Sequence, residues 1–283
     1  MVNTKQHEKQ EMTRITAQFR HKASMPHPIE TSAEGTLLPL FTQYSLSHFA
    51  ALAVAAILGT WVIRHAGKQN QAEKHRTARI LGWLCLAVIP GGVLATNFTV
   101  PSTPWEELLP LHFCDIMLVC CAWSMFKPYS PLSNCTYFCS LAATAQALIT
   151  PSLEYDYPTP LYFSFFTSHS LVILCALFIP LVFKWVPKSS GKFLAQLFGI
   201  CYLIAIYPIN ILLNTNFGFV LHIPESDSIL SLFGPWPWYL VVMQIPGFII
   251  IFLLDIPFHI IRSRQINYAT KQTQKNTSAN MEA

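Results

Sequence analysis

Seven long apolar stretches, separated by short polar or proline-rich breaks, fill the chain from residue 37 onward. A bilayer core of about 30 Å is crossed by about 20 apolar residues in a helix. Stretches at about 41–63, 78–98, 108–126, 132–150, 160–184, 193–213 and 238–260 meet that length. The breaks carry turn chemistry, as in Pro101-Ser102-Thr103-Pro104, Lys127-Pro128-Tyr129-Ser130-Pro131 and Pro158-Thr159-Pro160. The pattern predicts an all-α, polytopic membrane bundle of about seven transmembrane helices. It divides the chain into a polar tail over 1–36, a helical domain over 37–261 and a polar, disordered tail over 262–283. The first apolar run begins near Leu37, too far along for an ordinary cleavable leader.

Composition agrees with this class. A soluble domain carries about a quarter charged residues; here the charged fraction is 11% and the hydrophobic fraction 52%. The net charge of +4 is spread over loops and tails, and no basic stripe is interleaved with aromatics, so nucleic acid is not the expected partner. The eight cysteines lie in apolar runs with neither zinc-ribbon spacing nor an extracellular disulfide framework. All but Cys114 read as small packing residues.

Charge placement predicts orientation. Arg64, Lys68, Lys74 and Arg76 follow the first stretch, Lys127 the third, Lys184, Lys188 and Lys192 the fifth, and Arg262, Arg264, Lys271 and Lys275 the seventh. The alternate loops at 99–107, 151–159 and 214–237 have no Lys or Arg, and carry Glu106, Glu107, Glu154, Asp156, Glu225 and Asp227. An outside N-terminus and a cytoplasmic C-terminus follow, in the plasma membrane if the source is bacterial. Lys5, Lys9, Arg14, Arg20 and Lys22 dissent, but they lie far from the first helix, where the charge rule weakens.

With that orientation the polar residues gather toward the outer leaflet. Thr103-Pro104-Trp105-Glu106 reads as a capping box for the third helix, and Pro110 as a second start or kink. His112, Cys114 and Asp115 follow within a turn. Gln146 lies near the outer end of the fourth helix, and His169 some nine residues into the fifth. Asn210, Asn214 and Asn216 mark the exit of the sixth, and Trp236, Trp238 and Tyr239 the entry of the seventh. Ionisable groups inside a membrane span tend to face the bundle interior and mark chemistry or transport.

Helical spacing puts His112 and Asp115 on one face, within hydrogen-bonding reach. Cys114 points elsewhere, so His169 on another helix is its better partner. A Cys114–His169 pair can attack an acyl carbonyl and hold the chain as a thioester, with backbone amides or Gln146 as oxyanion donors. Membrane lipids are the expected substrate, and the scheme needs no external cofactor. A plainer reading stands beside each residue. A histidine or cysteine in a membrane helix can simply bridge helices, as can Gln146. Asn214 and Asn216 can cap the sixth helix, and Trp236, Trp238 and Tyr239 can form an interfacial belt, the two tryptophans facing substrate. Two other classes compete. His112, Asp115 and His169 offer a zinc-type shell with an open fourth position. A transporter or lipid-binding protein would also place polar groups in the bundle, although the halves show no inverted repeat. Asp255 stands alone in the last apolar run.

The segment Leu109-Pro110-Leu111-His112-Phe113-Cys114-Asp115 resembles a motif of the YwaF-type bacterial integral membrane proteins. So do Gln146-Ala147-Leu148-Ile149-Thr150-Pro151, Phe165-Phe166-Thr167-Ser168-His169 and Gly234-Pro235-Trp236-Pro237-Trp238-Tyr239, in order across about residues 40–260. The chain is also similar to the eukaryotic transmembrane protein 164 family, implicated in acyl transfer to ether lysophospholipids. That resemblance implies a cysteine nucleophile at Cys114 and a histidine partner at His169. Asn214-Thr215-Asn216-Phe217 departs from the usual Asn-Tyr pattern, which leaves the Cys and His positions untouched.

Overall fold

The computed structural model describes residues 38–223 and 232–282. The polar tail expected over 1–36, with its five basic residues, lies outside the described residues. Among the described residues the regular structure is helical, apart from an isolated bridge between Leu40 and Tyr155.

α1 (Leu46–Gly67) starts where the Ser45 side chain accepts the His48 N–H. α2 (Gln71–Thr99) opens on a reciprocal capping box between Asn70 and Glu73. α3 (Phe113–Phe126) is short, at 14 residues. α4 is a rod in three pieces: Leu132–Cys139, a π-helical turn at Ser140–Thr144, and Ala145–Ile149. α5 (Pro160–Val182) has Thr159 as N-cap and Pro160 at its first position, where the missing N–H costs nothing. α6 (Gly191–Leu213) ends on Asn214 in the left-handed conformation, with φ 54°. A single 3-10 turn follows at Phe217–Phe219. α7 runs over Trp238–Val242 and, past Met243, over Gln244–Glu282.

α1, α2, α5, α6 and the Trp238–Gln265 part of α7 are each long and apolar enough to cross a bilayer. They make the chain a multi-pass integral membrane protein. α3 is shorter than the pattern predicts, and α4 covers the expected stretch in three pieces. The third helix was expected from residue 108, but residues 101–112 form turns and the box at Thr103–Glu106 does not form. Pro110 would fall inside such a helix and withhold a backbone donor, and the helix starts instead from His112, whose N–H donates to Asp115 Oδ2. The fourth rod is interrupted by its π turn. At the other end of the chain, the backbone of α7 stays helical through the polar stretch 262–282, where composition pointed to disorder. That stretch has no Gly or Pro and several good helix formers.

α5 is the central rod and touches α1, α2, α3 and α4. Leu118, Cys121, Phe138, Val172, Cys175 and Phe178 form much of the main core. Half of α5's membrane-length window is buried, against 6% for α1, which lies at the rim. Lipid tails are as apolar as leucine, so close packing and interhelical hydrogen bonds hold such a bundle. Here Ser124 and Thr136 share a 2.8 Å bond. Tyr162 donates to the Ser47 carbonyl at 2.6 Å, and the Leu161 N–H donates to Thr99 Oγ1 at 3.2 Å.

The two ends of the bundle differ in charge. The starts of α1, α3, α5 and α7 share an acidic end with Glu106, Glu107, Glu154 and Asp156, and the opposite, basic end holds Arg64, Lys68, Lys127, Lys184, Lys188 and Lys192. Asp255, solitary in the sequence, is buried at the basic end between two cations. Lys192 Nζ lies 2.7 Å from it and Arg262 Nη2 lies 2.9 Å away. Arg262 also donates to the Pro187 carbonyl at 2.8 Å, which fastens α7 to the start of α6.

Candidate functional site

The site lies at the acidic end, where the first turn of α3 meets α5, α6 and the turn after α6. Cys114 is the second residue of α3 and half-buried. It sits in the first turn, where the Asp115 and Ile116 N–H groups both donate to the His112 carbonyl, at 3.0 and 3.2 Å.

His112 is the N-cap of α3. Its backbone N–H donates to Asp115 Oδ2 at 3.1 Å, so the expected contact between the two residues runs through the main chain and not through the imidazole. The extended N-cap backbone turns the ring outward, toward the exit of α6. There Nδ1 accepts the Gly218 N–H at 3.4 Å, and the ring sits 5.2 Å from Phe217 and 5.8 Å from Phe219.

His169 is buried on the inner face of α5. Its Nδ1 lies 2.8 Å from the Phe165 carbonyl and 3.2 Å from Ser168 Oγ, and the ring stacks on Phe165 at 4.1 Å. A neutral imidazole that donates from Nδ1 to a carbonyl carries its lone pair on Nε2. His169 also lies within electrostatic reach of His112. Among the described residues no hydrogen bond joins Cys114 to His169. Next to His169, Ser170 has a buried hydroxyl without a partner among the described residues. Ser140 and Thr144 in the π turn of α4 have the same character. Such π turns recur at functional sites. Gln146, one turn on, donates back to the Ala142 carbonyl of its own helix at 3.2 Å.

Two residues that the sequence did not single out complete the site. Tyr202 on α6 donates to the Leu111 carbonyl at 2.9 Å, packs edge-to-face on Phe113 at 5.0 Å, and lies within electrostatic reach of Cys114 and Asp115. Gly218 has φ +66°, and a Cβ there would fall 2.7 Å from Tyr202 Oη, so both backbone and space require glycine.

The turn over the site is pinned from several sides. Asn210, fully buried, accepts the Phe217 N–H at 2.8 Å and the Thr215 hydroxyl at 3.0 Å, and donates to the Phe217 carbonyl at 3.0 Å. Asn216 accepts the Leu221 N–H at 3.0 Å and donates to the His222 carbonyl at 2.8 Å. Trp236 Nε1 donates to the Val220 carbonyl at 3.1 Å, and the Tyr239 hydroxyl to that of Phe219. Tyr239 is therefore a buried brace and not part of an interfacial belt. Trp238 faces outward, as a belt residue does. Asn214 acts through its backbone, as the left-handed cap of α6.

Among the described residues no three His, Cys, Asp or Glu side chains converge as a metal set. His112, Asp115 and His169 are thus not gathered into the zinc-type shell that their residue types allow.

A model of the TMEM164 family matches residues 43–255, a stretch that holds every site residue described above. No curated protein and no solved structure matches the chain.

Proposed function

We propose, for a chain that belongs to the TMEM164 family, an acyl-transfer activity on membrane lipids with Cys114 as nucleophile and His169 as general base. The supporting observation is the state of His169: buried, stacked, and tied at Nδ1 to the Phe165 carbonyl, with Nε2 left as the basic nitrogen. A base oriented by a third group is the usual partner of an activated nucleophile. The second support is the place of Cys114 in the first turn of α3, where the positive end of the helix dipole favours negative charge.

The reaction proceeds in two steps. Cys114 Sγ attacks the ester carbonyl of a phospholipid and its proton passes to His169 Nε2. The C–O bond then breaks, the proton goes to the departing alkoxide, and a lysophospholipid leaves a thioester on Cys114. In the second step the hydroxyl of a lysophospholipid gives its proton to Nε2 and attacks the thioester, and Sγ leaves and recovers the proton. With water as acceptor the outcome is hydrolysis. The charge asymmetry of the loops supports a site on the extracytoplasmic side, with the C-terminus in the cytoplasm. The YwaF-type motifs fit the same assignment.

The test is acyl release from a phospholipid labelled in its acyl chain, with purified protein in nanodiscs. Intact mass should show an acyl adduct that neutral hydroxylamine removes. Cys114→Ala should lose both adduct and turnover, and His169→Gln should lower turnover by about 10²–10⁴-fold. Wild-type turnover in Cys114→Ala rejects the covalent scheme. Solute uptake by proteoliposomes, lost in His169→Ala, would instead favour transport.

A further inference from the structure

A second feature lies at the basic end, on the opposite side of the bundle from Cys114 and His169. A shallow, open groove lies along the outer face of α1, and its described lining, with Ile57, Thr60, Trp61, Arg64, His65 and Lys68, comes from that helix alone. These positions recur every three to four residues and form one stripe about 16 Å long, from Ile57 to Lys68. The stripe changes character along its length. Ile57 and Trp61 are exposed apolar side chains, 68% and 62% accessible, on a helix that faces lipid. Trp61 and His65 stack at 5.5 Å and 9° to form a flat aromatic wall. Beyond them Arg64 and Lys68 close the groove with two positive charges.

Among the described residues no carboxylate pairs with those charges. From α1 through α2 there is one acidic residue, Glu73, against Arg64, Lys68, Lys74, Arg76 and Arg79. Glu73 is occupied at the α2 cap, accepting the Asn70 N–H at 3.3 Å. Among the described residues neither Arg64 nor Lys68 has a salt-bridge partner. Like charges four apart on a helix repel, and an anion between them relieves the repulsion. A guanidinium grips phosphate bidentately, and an ammonium adds a point charge.

We infer that this groove binds an anionic glycerophospholipid, its phosphate between Arg64 and Lys68 and one acyl chain laid along Trp61 and Ile57. The phosphate needs the basic pair and the chain needs the apolar half. Only a lipid of the leaflet at the basic end supplies both at this depth. The site needs no turnover at Cys114, so its test is independent of the acyl-transfer reading.

The experiment is native mass spectrometry of the full-length protein released from micelles with equal phosphatidylglycerol and phosphatidylcholine. The wild type should retain one phosphatidylglycerol in preference to phosphatidylcholine. Surface cations each favour an anionic headgroup, so Arg64→Gln/Lys68→Gln should reduce that preference by about tenfold or more. Arg64→Lys/Lys68→Arg should keep most of it. Lys184→Gln/Lys188→Gln, basic residues of the same end outside the groove, should leave it unchanged. Size-exclusion elution and helical circular dichroism should match the wild type in every variant. No preference in the wild type, or an equal loss in the Lys184/Lys188 variant, overturns the inference. So does displacement of the lipid by millimolar inorganic phosphate, which would mark a free-anion site. A dimer lost on Trp61→Ala would mark a second copy as the occupant and equally overturn it.

Discussion

Single residues at the exit of α6 divide their work in a way that sets their tolerance to change. Asn210 satisfies three groups of the turn over the site. Asn210→Ala would leave them buried and unpaired, at a cost of about 2–4 kcal/mol, read as a lower thermal midpoint in detergent. Asn214 contributes a left-handed backbone and is the easier position. Asn214→Gly should stay within about 0.5 kcal/mol of wild type, and Asn214→Val should lose about 1–2 kcal/mol. Gly218→Ala should be harsher than its size suggests, since it meets both a positive φ and the Tyr202 hydroxyl. A loss of acyl turnover at a temperature where the variant stays folded would show that the turn shapes the site around Cys114. The sequence makes the asparagines visible as a group, but Asn210, Asn214 and Asn216 are polar residues at a helix end in any sequence reading. Which one points inward depends on the path of residues 215–222, which is pinned by Trp236, just before α7, and by Tyr239 within it. His169 was the more legible residue, because Pro160 fixes where α5 begins and so fixes the depth of the histidine.

Among the elements, α5 and α6 follow their sequence signals, while α3 and α4 do not. Thr159 and Pro160 start a helix by local chemistry alone. The start of α3 depends on competition between two caps, Thr103–Glu106 and His112–Asp115, and Pro110, inside any helix begun at the first, favours the second. The π turn of α4 lies in Ser-Leu-Ala-Ala-Thr, with neither glycine nor proline to announce it. It packs against α5, a contact invisible to periodicity. Asp255 was likewise unreadable, because its partners come from residue 192 and the turn of helix to residue 262. Asp255→Ala would strand two cations at a buried joint between α6 and α7. It should cost about 3 kcal/mol, and a variant that also carries Lys192→Met and Arg262→Met should recover much of that. Equal stability of the single and triple variants in thermal unfolding would show that the carboxylate is not what joins these helices.

For the whole molecule, the all-helical, multi-pass class was written in the apolar stretches and the charge alternation, since both are properties of the chain against a bilayer and need no tertiary detail. The orientation drawn from that alternation is directly testable. Cysteine introduced at Lys184 should react with a membrane-impermeant maleimide only from the cytoplasmic side, and cysteine at Glu154 only from the other. Most native thiols are buried and give little background. Labelling on the reversed sides would invert the placement of the site.

The brevity of α3 carries one more consequence. Its 14 residues rise about 21 Å, well short of the roughly 30 Å hydrocarbon thickness. Val119 and Trp123 on its outer flank are half exposed, so this low wall meets the lipid directly. A film against a wall too low for it dimples, and headgroups sink toward the step. The dimple would bring glycerol esters down to the level of the thiol without lifting a lipid from its leaflet. Turnover should then rise in bilayers of short-chain lipids and fall in bilayers of long-chain ones.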